Sequence, residues 1–101
     1  TVEYMVDKNR ATAYISERKT AQEARAMVTG LHTYFKTFGG RTIKANIAIQ
    51  DVRMIEIMGS FDLMFSMGEY FAGVHEAPTQ KQAEIIAEML AASLNKKGVT
   101  K

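Results

Sequence analysis

His75 and Glu76, preceded by Asp62 and Glu69, come nearest to acid–base chemistry in this sequence. A carboxylate that orients an imidazole fixes its tautomer, so that the second ring nitrogen can take or give a proton. If the residues from Ser60 onward form one helix, Glu69 and Asp62 lie one or more turns before His75 and are candidates for that orienting role. A histidine beside a glutamate at a helix end serves as readily as a surface or capping group. The spacing therefore supports a small-molecule binder or enzyme centred on His75 only as a third reading, and it names no catalytic residue.

Other chemistries have less to stand on. His32 and His75 are the two histidines among 101 residues, there is no cysteine, and no HExxH motif, Cys pair or His pair occurs. A disulfide framework, a thiolate metal site and a cysteine nucleophile are excluded, and neither a metal nor a cofactor is expected. Phe38-Gly39-Gly40-Arg41 follows a helical pattern and precedes a strand, whereas a phosphate-cradling loop runs from strand to helix. A helix stop accounts for both glycines.

Cations gather early in the chain, although the net charge is only +2. Residues 1–50 carry eight Lys and Arg against four Asp and Glu, residues 51–88 carry Arg53 and Lys81 against seven acids, and the tail is basic again from Lys96. Lys8 and Arg10 at a hairpin tip, Arg18 and Lys19 behind it, and Arg41 and Lys44 further on are candidates for phosphate contacts, with Tyr4 or Tyr14 stacking on bases. Glu3, Asp7 and Glu17 interrupt the set. Nucleic-acid binding through a basic β-hairpin is the second reading.

The leading reading comes from the apolar residues. Residues 43–71 hold four of the seven methionines, and Phe61, Leu63, Met64, Phe65, Met67, Tyr70 and Phe71 crowd into three helical turns. Aromatic and Met side chains are what interface centres are rich in. On a helix they form a stripe wider than one sheet face covers, leaving a surplus that a second copy can bury. The chain is accordingly expected to be a non-enzymatic accessory or regulatory domain acting by protein–protein association, a homodimer with Phe61, Met64, Phe65, Met67 and Phe71 at its interface. Enclosure of those side chains within one copy is the competing explanation.

The elements that must position these residues follow from periodicity. Alternation over residues 2–15, broken by Asp7-Lys8-Asn9-Arg10, predicts an antiparallel hairpin. Thr20-Ala21-Gln22-Glu23 is a capping box opening a helix that carries Ala24, Met27/Val28, Leu31, Tyr34/Phe35 and Phe38 on one apolar face and stops at Gly39-Gly40. Residues 42–50 alternate as a strand. Residues 52–58 are read as its partner strand, the competing version being a helix capped by Asp51. Ser60 is read as the N-cap of a second helix, ended at Ala77-Pro78, and Thr79-Gln80-Lys81-Gln82 opens a third, ended at Gly98.

A 47% apolar and 24% charged composition is that of an ordinary globular domain. No apolar run reaches the roughly 20 residues of a membrane-spanning helix, and no signal peptide is visible. A soluble chain with no membrane partner is expected, its compartment open, the cytoplasm being one that fits. Thr1 in place of an initiator Met implies a processed or omitted segment before it. The expected architecture is one α+β domain over residues 1–101: an antiparallel sheet of about four strands packed on two or three helices on one face, in the order ββαββαα.

Overall fold

Period-two alternation of Ala11, Ala13 and Ile15 with Thr12, Tyr14 and Ser16 builds strand β2 (Ala11–Glu17), which pairs antiparallel with β1 (Val2–Val6) in the register Tyr4 to Ala13. The computed structural model describes residues 2–6, 11–49 and 51–96. The expected turn at residues 7–10, with Lys8 and Arg10, and the helix stop at Gly98 lie outside them.

Helix α1 (Ala21–Thr37) begins at Thr20, which is extended and whose Oγ1 accepts from the Glu23 N–H at 3.0 Å. Glu23 does not reach back as a capping box requires; its carboxylate takes the Arg18 Nε–H instead, at 3.0 Å. Gly39, at φ 92°, closes the last turn by donating to the Lys36 carbonyl. The strand expected over residues 42–50 is only three residues long, β3 (Arg41–Ile43). Beyond it, α2 (Gln80–Lys96) captures the backbone: Gln80 Nε2 donates to the Lys44 carbonyl at 3.0 Å and Glu84 Oε2 accepts the Asn46 N–H at 2.7 Å. The alternation of Ile43, Ala45, Ile47 and Ile49 is still used, because these side chains pack half-buried on the α2 core.

The chief correction lies in residues 60–77. They are not a helix but two strands, β5 (Ser60–Met67) and β6 (Tyr70–Ala77), following β4 (Arg53–Ile57). The observed order is ββαββββα, with one antiparallel six-stranded sheet ordered β1-β2-β6-β5-β4-β3. β5 and β6 are central, so both their faces are covered. On one face α2 packs Ile86, Leu90 and Leu94 over Leu63, Phe65, Met67, Ala72 and Val74. On the other α1 packs Ala24 and Val28 over Ile55, Met64 and Phe71. The helices thus sandwich the sheet instead of sharing one side. No described helix is long and apolar enough to cross a membrane.

This layering corrects the interface expectation as well. Met64, Phe65, Met67 and Phe71 are buried in the single chain, with Phe61 half-buried. Alternation along β5 sends Met64 toward α1 and Phe65 and Met67 toward α2, so there is no surplus stripe. Truncating Phe65 to Ala would leave a hole in a filled interior and cost about 3–5 kcal/mol.

Candidate functional site

Where β2 and β6 run side by side under α1, Thr12 stands opposite His75 and Tyr14 opposite Gly73. Phe71, Gly73 and His75 share the α1-facing side of β6, and Asp62 lies on the same side of β5. α1 contributes Leu31 and Phe35, four residues apart and so on one face. Together these residues line a cleft of about 310 Å³ whose walls are mostly apolar.

At its floor Asp62 is 2% exposed, with Oδ2 2.6 Å from His75 Nδ1 and Oδ1 accepting the Glu76 N–H at 3.1 Å. Both carboxylate oxygens are therefore engaged. A β-bulge makes this possible: register slips between Phe61 and Leu63, so that His75 and Glu76 face the single residue Asp62, and Glu76 takes φ 59°. The Nδ1 contact to the carboxylate fixes the orientation of the imidazole, and Nε2 lies 3.9 Å from Glu76 Oε1. The ring also runs near parallel to Phe35, at 19° with centroids 6.3 Å apart, and its side chain is 46% exposed.

Tyr14 forms the opposite wall. It crosses β6 at Gly73, where an added Cβ would collide with the Tyr14 ring and the Leu63 carbonyl, and its ring centroid is 5.4 Å from that of Phe71. Burial, followed by the negative charge of Asp62, pushes the phenol well above its ordinary pKa. On the other flank of α1, His32 Nε2 meets Thr42 Oγ1 at 3.2 Å. Partial burial, then Arg53 and Lys36, hold the His32 pKa below its ordinary value.

The sequence singled out His75 and Asp62 but put them on one helix; a hairpin, not helical spacing, brings them together. Glu69 sits in the β5–β6 turn, where its carbonyl accepts from the Arg18 N–H, and it does not line the cleft. Thr12, Leu31, Phe35 and Gly73 carried no signal of a site, since alternation and helical period mark them as ordinary packing positions.

Among the described residues, Arg18, Lys19, Arg41 and Lys44 do not converge. Arg18 is bound to Glu23 and to Ser16 Oγ, and Arg41 pairs with Glu56. Lys19 and Lys44 are exposed, but they follow β2 and β3, strands four inter-strand spacings apart, about 19 Å. Among the described residues no three His, Asp or Glu side chains converge as a metal site. Compared with family models, with curated proteins and with solved structures, the chain matches none.

Proposed function

We propose that this domain is a binding module for a small, ring-sized molecule with an apolar body and one polar end, seated in the cleft between α1 and β2, β5 and β6. The observation that carries this is the buried Asp62 carboxylate clamping His75 at the floor of an otherwise apolar recess. Apolar walls with a few fixed polar groups are the usual composition of small-molecule sites. Tyr14, Phe35 and Phe71 supply contact area, and Thr12, the Tyr14 phenol and His75 supply the polar groups.

The test is two-dimensional NMR with a panel of single-ring phenols and aromatic carboxylates. Binders should perturb Thr12, Tyr14, Leu31, Phe35 and His75 together, and Asp62→Asn should weaken them about tenfold or more, as loss of a hydrogen bond to a charged group does. A panel that leaves these residues unmoved, or one bound equally by Asp62→Asn, sinks the proposal.

A second reading, association with another copy, now rests on different residues. The outer face of α1 exposes Met27, Tyr34 and Phe38, with Tyr34 and Phe38 ring centroids 4.9 Å apart. Ala26, Gly30 and Leu31 complete a shallow apolar trough beside them. The oligomeric state in solution tests it.

A further inference from the structure

We propose that a second pocket, on the opposite flank of α1 from the cleft, binds a doubly charged oxyanion: free phosphate or the phosphate group of a small molecule. This inference stands independently of the cleft. The pocket is lined by Arg25, Val28 and Thr29 of α1, Asp51 and Arg53 at the start of β4, and Ser66 near the end of β5. The two linings share no residue: Arg25, Val28 and Thr29 of α1 line this pocket, Leu31 and Phe35 the cleft.

Several features converge on an anion. Arg25 and Thr29 are one helical turn apart and face the same way. Arg53 stands opposite Met64, which packs beneath α1, so its guanidinium approaches from the sheet side. Neither arginine forms an ion pair among the described residues, in contrast to Arg18 and Arg41. Guanidinium forks, whose geometry matches phosphate oxygens, share this lining with the hydroxyl-bearing Thr29 and Ser66. Val28, 3% exposed, forms an apolar floor.

The local field has the same sign. Lys36 adds a further cation along α1, and burial, then Arg53 and Lys36, disfavour the charged form of His32. Asp51 is the one acid in the lining, and it is paired with neither arginine. A volume of about 150 Å³ holds roughly five waters at about 30 Å³ each, room for a tetrahedral oxyanion with one or two waters. The pocket is small and self-contained, unlike the extended track of cations that a nucleic-acid backbone requires.

Titration calorimetry with inorganic phosphate at fixed ionic strength tests this, using the whole chain and Arg25→Gln, Arg53→Gln and Arg41→Gln variants. Phosphate also stabilises proteins by exclusion from their surface, so the contrast between variants decides. Arg25→Gln and Arg53→Gln should each weaken binding about tenfold or more, Arg41→Gln should leave it unchanged, and bound phosphate should raise the His32 titration midpoint in NMR. Tighter binding of phenyl phosphate than of inorganic phosphate identifies a phosphomonoester as the ligand, and equal binding identifies free phosphate; both uphold the site. No saturable heat with either probe overturns it, as does equal weakening by Arg41→Gln. All variants are checked for retained amide dispersion.

Discussion

Tyr14 lies across Gly73 because that residue has no Cβ to exclude it, and its phenol is near enough to Asp62 to feel the carboxylate charge. Burial first, then that charge, raises its pKa in the folded chain above the unfolded value of 10.0. The stabilisation is complete below pH 10 and declines as pH rises beyond it, because the unfolded chain gives up the phenolic proton first. In an alkaline absorbance titration the folded protein and Tyr14→Phe should release equal phenolate up to pH 11, and the urea midpoint should fall less steeply above pH 10 in the variant. One extra phenolate from the folded parent in that range contradicts the assignment. At this scale the sequence was partly legible. His75 needing a carboxylate followed from chemistry, but Asp62 and Glu69 were equally eligible, and only the register of a hairpin separates them. Tyr14 was noticed for its ring, yet the place that ring occupies depends on Gly73, distant in sequence and read there as part of a helix.

Among the elements, the β4–β5 turn invites a direct test. Met58 and Gly59 are its two central residues, at φ 53° and 81°, the pattern of a type I′ turn. Glycine adopts such angles freely, but methionine does so at a cost of about 1–2 kcal/mol, and Met58 is 96% exposed, so packing does not offset it. Met58→Asn should therefore stabilise the fold by about 0.5–1 kcal/mol, read as a raised urea midpoint with an unchanged slope; an unchanged or lowered midpoint rejects the turn strain. The helices were legible because Thr20 and Thr79 each accept the N–H three residues on, Thr79 Oγ1 from Gln82 at 3.1 Å, although Glu23 does not complete the box at Thr20. The β5–β6 hairpin was not. A strand covered on both faces loses its polar–apolar alternation, and Asp62-Leu63-Met64-Phe65, buried without a break, reads as a helix stripe when periodicity alone is consulted.

For the whole molecule, the α+β class and antiparallel sheet were visible in the sequence, because hairpin alternation and capped helices are local features. Which helix covers which face was not, since that depends on chain reversals that leave no periodic trace. One consequence concerns association. Interior packing now accounts for the Met and Phe residues of β5 and β6, leaving Met27, Tyr34 and Phe38 as the exposed apolar group on α1. If a second copy covers them, sedimentation at high micromolar concentration should show a dimer that Tyr34→Glu converts to a folded monomer. A parent chain that is already monomeric there removes the association reading. The bulge opposite Asp62 has a reach beyond the cleft. By strict alternation from Phe71, Ala77 would point toward α1, but the additional residue turns it to the opposite side, among the side chains under α2. The chain consequently leaves β6 already committed to the surface its last helix must cover. Segment length is therefore a structural variable here: shortening or lengthening β6 by one residue would misdirect the C-terminal helix, a sensitivity to insertions and deletions normally absent from the end of a strand.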